Sequence, residues 1–146
     1  SQIATILKDM WAQIGVNLTI TSMDQAALYD DEYAMKHEMV FGSWSDDIAD
    51  PSQLGDYWWN FETSQCFFTG YENAEAQKIF EESNYELDDA ARKDLYFQLQ
   101  QIFYDDVVAI NMYHADATVA MSDSIQGYVQ TPLYAYRFDN LIKVVE

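Results

Sequence analysis

Four carboxylates crowd one short stretch of the chain: Asp46, Asp47, Asp50 and Asp56. Paired carboxylates can divide general acid and general base work, or supply oxygen ligands to calcium. The spacing is not that of a calcium-binding helix–loop–helix, and no glycine stands at the turn position such a loop needs. Two further roles fit the residue types. One of these carboxylates could bind an organic cation, or the group could be a solvated loop with a helix cap. His37 and His114 are too far apart in sequence to form a recognisable ligand pair. No serine sits in a nucleophile elbow, no glycine-rich run could cradle a phosphate, and no zinc spacing occurs. The inventory for catalysis is nearly empty, so no enzyme and no cofactor or metal is expected.

A second concentration is aromatic: Tyr57, Trp58, Trp59, Phe61, Phe67, Phe68 and Tyr71. These rings could form a small core beneath a loop. One or two of them could instead line a ligand cleft, where Tyr and Trp offer apolar area with a polar tip. The single cysteine, Cys66, cannot form an internal disulfide and fits a small buried apolar residue or a free thiol.

Several elements position these groups. Ile3, Ile6, Leu7, Met10, Trp11 and Ile14 fall at helical spacing, with Gly15 as the C-terminal cap. Val16, Leu18 and Ile20 alternate as in a strand. Asp24 caps a second helix expected to run to about Lys36. Met39, Val40 and Phe41 make a short strand that feeds the acidic loop. Asp50 followed by Pro51 starts a helix over 52–58, with a capping residue and then proline at the first helical position. Residues 59–72 are expected to be irregular. Asn73 caps a helix with Ala76, Ile79 and Phe80 facing inward. Asp88 starts the longest helix, whose apolar face is Ala91, Leu95, Leu99, Ile102 and Phe103. Strands are expected at 107–113 and 118–121, with Gly127 and Pro132 punctuating a last extended segment. The order predicts an α/β fold, a mixed sheet flanked by helices, in one domain over 1–146.

The balance of the chain narrows the partners. Its 146 residues carry a net charge of −18, which disfavours nucleic acid and anionic membrane surfaces as partners, since both are held by Lys and Arg. Hydrophobic residues make up 49% and charged residues 22%, as in a folded domain rather than a disordered tail. No apolar run approaches the ~20 residues of a spanning helix. Residue 1 falls inside a helical pattern, as expected of a piece cut from a longer chain.

Four segments, taken in order, resemble one family. Ala4-Thr5-Ile6-Leu7-Lys8-Asp9-Met10-Trp11-Ala12-Gln13-Ile14-Gly15-Val16 is similar to its helix, glycine turn and strand. Met39-Val40-Phe41-Gly42-Ser43-Trp44-Ser45-Asp46-Asp47, then Asp50-Pro51, resembles its strand, tryptophan, acidic loop and helix start. Gly70-Tyr71-Glu72-Asn73 resembles its step into the next helix. Ala91-Arg92-Lys93-Asp94-Leu95-Tyr96, with Gln100, Asp105 and Asp106, resembles its long helix. The family is the oligopeptide, dipeptide and nickel solute-binding proteins of ABC importers.

The resemblance implies a periplasmic-binding-protein-like lobe, residues 1–146 being the C-terminal portion of lobe II of a larger two-lobed protein. It implies solute binding, with an oligopeptide or dipeptide as ligand, and delivery to ABC permease subunits. The missing N-terminal lobe would be a further partner. The protein would work outside the cytoplasm, in the periplasm or lipid-anchored on the outer face of the membrane. In peptide-binding members the acidic residue three positions after the loop tryptophan meets the ligand's α-ammonium. Counted from Trp44, that is Asp47, with Trp44 beside the ligand backbone and Asp46 as the competing carboxylate. Phe41 stands where oligopeptide binders can carry an arginine for the ligand carboxylate, and Val107 stands where the long helix is usually followed by proline. Other readings stay open: a sugar or metal-chelate binder of the same family, a hydrolase using the acidic loop, or a protein-interaction module using the aromatic segment. Since ligands of the family lie between lobes, 1–146 alone should bind peptide weakly or undetectably.

Overall fold

The computed structural model describes residues 2–131, residue 133 and residues 137–144, and in the helix at 61–68 all side chains except Thr63, Ser64, Cys66 and Phe67. The expectations for the Cys66 and Phe67 side chains and for Pro132 lie outside the described residues. The chain divides into two compact units, 1–40 and 41–146.

The first unit holds α1 (Gln2–Ala12) and α2 (Gln25–Tyr33). Beyond α1 the backbone turns through Gly15 at φ 87°. There Gly15 N–H donates to Ala12 O at 3.1 Å and Val16 N–H to Trp11 O at 3.0 Å. This paired closure satisfies end carbonyls and needs a left-handed residue, which glycine supplies without a Cβ clash. α2 begins as expected, with Asp24 accepting from Ala27 N–H at 3.0 Å. It stops earlier than expected, because Met35 takes the left-handed position at φ 51°. Lys36 N–H then closes back on Asp31 O at 2.9 Å.

The second unit is built on four helices: α3 (Pro51–Trp59), α4 (Phe61–Phe68), α5 (Ala74–Ser83) and α6 (Asp89–Asp105). Three of them start on the side chains that the sequence marks. Asp50 accepts from Ser52 N–H at 2.9 Å, Asn73 from Glu75 and Ala76 N–H at 3.0 and 3.1 Å, and Asp88 from Ala91 N–H at 2.9 Å. Each satisfies donors that the first turn leaves without a partner. α3 packs on α4 and α5, and α5 on α6. The buried centre is Trp59, Ala76, Phe80, Tyr96 and Leu99, with Trp58, Tyr71, Ile79, Ile102 and Phe103 against it. Gly55 permits the close approach of α3 to α5, since a Cβ there would lie 2.5 Å from a Phe80 ring carbon.

Two expectations are corrected. Residues 61–68 are helical rather than irregular. No glycine or proline interrupts them. The mixed sheet is absent from the described residues, where the two-stranded sheet is β1 (Ile125–Gln126) against β2 (Ile142–Lys143), antiparallel. The segments expected as strands at 16–20, 39–41, 107–113 and 118–121 carry no ladder. A strand is held by a neighbour's backbone, and alternation in one segment does not supply that neighbour.

Candidate functional site

The acidic loop and the helix after it lie in the second unit. Residues 43–50 form neither helix nor strand, so side-chain contacts fix their course. Trp44 is 43% exposed. Its ring lies 4.3 Å, centroid to centroid, from that of Tyr57, at 58°. Its indole Nε1–H donates to Asp46 Oδ1 at 3.1 Å. Asp46 is half-buried and thereby tied to its own loop. Asp47 is exposed. Its backbone N–H donates to Gln53 Oε1 at 2.7 Å, and Ile48 N–H donates to the same oxygen at 3.0 Å. Gln53 Nε2 in turn donates to Asp47 Oδ2 at 3.1 Å. The two neighbouring carboxylates are thus distinct: Asp46 lines a cleft and accepts from Trp44, while Asp47 is exposed and held by Gln53.

Asp50 has a different role from either. Besides capping α3, it receives a two-pronged contact from Arg92 on α6, Nη1 to Oδ2 at 3.0 Å and Nη2 to Oδ1 at 2.8 Å. The same guanidinium donates through Nε to Ser83 O at 3.0 Å, at the end of α5, and through Nη2 to Tyr96 Oη at 3.3 Å. One arginine therefore joins α3, α5 and α6, using the planar fork that matches a carboxylate. The hydrogen bond from Arg92, helped by Ser52, holds the Asp50 carboxyl well below the usual carboxylate range, and Asp50 raises Arg92 in return. Asp56 faces elsewhere and accepts from Asn60 Nδ2 at 2.8 Å.

A cleft of about 450 Å³ opens beside the loop, lined by Asp46, Ile48, Leu54, Trp59, Tyr96 and Gln100 among others. Among the described residues no three His, Cys, Asp or Glu side chains gather as a metal site, and no helix is long and apolar enough to cross a membrane. Within the aromatic run, Trp59 is part of the core with Trp58 and Tyr71 packed against it, while Tyr57 flanks Trp44. Trp58 meets Phe103 edge-on at 4.8 Å. The structure also joins segments far apart in sequence, since Tyr71 Oη and Asn73 Nδ2 both donate to Asp106 Oδ2, at 2.6 and 3.2 Å.

Gln53 and Arg92 were not singled out from sequence as parts of this site. Gln53 carries no sequence signal beyond its place in the first turn of α3. Arg92 stands in the long-helix motif, but nothing in that motif names Asp50 as its partner.

Comparison with known proteins gives a consistent class. Residues 1–65 match the sequence profile of the bacterial extracellular solute-binding proteins, family 5 Middle. The chain is 26% identical over 131 residues to the probable D,D-dipeptide-binding periplasmic protein DdpA of Escherichia coli K12, covering 87% of this chain and 25% of that protein. It is 26% identical over 139 residues to the di/tripeptide-binding protein 4 of Pseudomonas aeruginosa UCBPP-PA14, covering 89% and 25%. It is 22% identical over 121 residues to the dipeptide-binding protein DppE of Bacillus subtilis 168, covering 82% and 22%. The chain is similar to the family 5 extracellular solute-binding proteins, over residues 1–65 by the family profile and over most of its length by relatives of 22–26% identity. It spans about a quarter of the length of the curated relatives it matches. That family implies a periplasmic-binding-protein-like α/β fold; the described residues are helix-rich, with a small two-stranded sheet. These relatives are named as binding proteins and not as enzymes.

Proposed function

We propose that residues 1–146 are the C-terminal portion of lobe II of a two-lobed extracytoplasmic solute-binding protein, and that this lobe helps bind a dipeptide or short oligopeptide for delivery to the permease of an ABC importer. The observation that carries the reading is the set of relatives named for dipeptide or tripeptide binding, each aligned over more than four-fifths of this chain. The protein would act in the periplasm or from a lipid anchor on the outer face of the membrane. The first lobe would supply the remaining ligand contacts.

Within this lobe, Asp47 is the partner for the peptide α-ammonium. Its exposure supports that role, as does the engagement of Asp46 by Trp44. A carboxylate meeting an ammonium in a closing cleft gains strength as water leaves. Trp44, braced by Tyr57, would lie along the peptide backbone.

The test uses the full-length protein and L-alanyl-L-alanine. Binding should raise the melting temperature, and the peptide should be recovered intact. Asp47→Asn should cost on the order of 2–5 kcal/mol of affinity, the scale for a charge pair that loses one partner. Acetylating the peptide amine should weaken wild type by a similar amount and the variant far less. If the two losses simply add, Asp47 is not the partner of the amine.

A further inference from the structure

An exposed carboxylate on a loop without regular structure has no fixed direction unless something else supplies it. Here the supplier is Gln53, half-buried on the first turn of α3. Its amide makes three contacts with the loop: Oε1 accepts from the Asp47 and Ile48 backbone N–H groups, and Nε2 donates to Asp47 Oδ2. A side-chain amide accepts at one end and donates at the other. A glutamate would accept but would set a second negative charge against Asp47, and a methionine accepts only weakly and donates nothing. The base of the clamp is itself held. α3 starts on Asp50, and Asp50 is gripped by the Arg92 fork that also reaches Ser83 O. Gln53 therefore carries the fixed position of three helices to the loop.

The clamp also divides the carboxylate. Oδ2 is engaged by a neutral donor, which leaves Oδ1 to meet a cation without the charge being neutralised by a lysine or arginine. Resting on the assignment of Asp47 to the ligand amine, we propose that Gln53 is the positioning residue for that contact. It sets the direction of Asp47 and keeps its charge available to the ligand ammonium. A site held by such contacts needs less reordering on binding.

Two measurements on the full-length protein test this. The first requires no ligand. Hydrogen–deuterium exchange over residues 43–53 should show the Asp47 and Ile48 amides exchanging at least about tenfold faster in Gln53→Met, because their common acceptor is gone. Gln53→Glu keeps the acceptor oxygen but sets its charge against Asp47, and its amides should exchange at a rate between those of wild type and Gln53→Met. Unchanged exchange in Gln53→Met overturns the clamp. The second measurement is calorimetry with L-alanyl-L-alanine and its N-acetyl derivative. Gln53→Met should weaken the free-amine peptide about tenfold and the acetylated one less than about twofold, a difference near 1.4 kcal/mol. Equal weakening of both peptides, or of neither, overturns the positioning role while leaving Asp47 as the amine's partner. If Asp47→Asn preserves the wild-type preference for the free amine, or wild type binds neither peptide at millimolar concentration, the reading of the site falls and the role of Gln53 with it.

Discussion

Residues 50–106 and residues 107–124 follow one another in the chain, yet they depend on different things. The first stretch forms α3 to α6 and closes on a buried centre that includes Leu99, at 0% exposure. In the second, residues 109–121 carry no helix or strand, and Ile110, Met112 and Tyr113 are exposed. The apolar run Val107-Val108-Ala109-Ile110, which suggests a strand, is as apolar as the helix faces before it. The difference lies in the partners. A helix satisfies its backbone within its own segment, whereas an extended segment needs a second segment beside it. Local pattern is therefore sufficient for the first stretch and insufficient for the second.

The largest effect is expected where the helices come closest. Gly55→Ala places a Cβ against the Phe80 ring and should destabilise residues 1–146 by about 1–3 kcal/mol in urea unfolding. The sign is the informative part. In an open helix the same change should stabilise by roughly 0.5–1 kcal/mol, so a stabilised variant would mean that α3 and α5 do not meet at Gly55.

A slightly smaller loss is expected at the link between α3 and α6. Asp50→Asn keeps a competent helix cap but removes the charge that Arg92 grips. With the pair partly open to solvent, the cost near neutral pH should be about 1–2 kcal/mol. The pH dependence follows from the depressed Asp50 carboxyl. A carboxylate held below its unfolded value contributes fully above that value, about 3.9, and loses its contribution as pH falls toward the folded value. The stability gap between wild type and Asp50→Asn should thus be constant from about pH 7 to 5 and shrink below about pH 4. A gap that widens in acid would rule out Arg92 as the cause.

At the junction of the two stretches the expected effect is a gain. α6 ends with Val107 in the left-handed region at φ 50°, where Val107 N–H reaches Tyr104 O at 3.3 Å and Val108 N–H reaches Phe103 O at 3.3 Å. A β-branched residue is costly there. Val107→Gly should raise stability by about 1 kcal/mol, net of the extra freedom that glycine brings to the unfolded chain. A destabilised variant would show that α6 does not end in this turn.

The smallest effect should fall in the extended stretch. Ile110 is 58% exposed, and Ile110→Ser in residues 1–146 alone should change stability by less than about 0.5 kcal/mol. A loss above about 2 kcal/mol would mean that this segment is already buried against something in the isolated chain.

The sequence by itself was enough wherever the physics is short-range. Asp24, Asp50, Asn73 and Asp88 cap the helices they were expected to cap, because a cap links residues two or three apart. Gly15 ends α1 as expected for the same reason. Most of the inward faces of α5 and α6 was legible from spacing, with Ala76, Phe80 and Leu99 buried, but buried Ser83 and Tyr96 were not among the residues expected there. Ordered motifs also pointed to the family before any contact was visible. Tertiary structure decided what crosses from one element to another. Nothing near Asp50 in sequence points to an arginine on α6, and nothing near Asp47 marks Gln53 as its clamp. The left-handed turns at Met35 and Val107 follow no glycine signal. The aromatic run could be divided between core and loop only once α3 had neighbours, since burial depends on what lies across from a side chain.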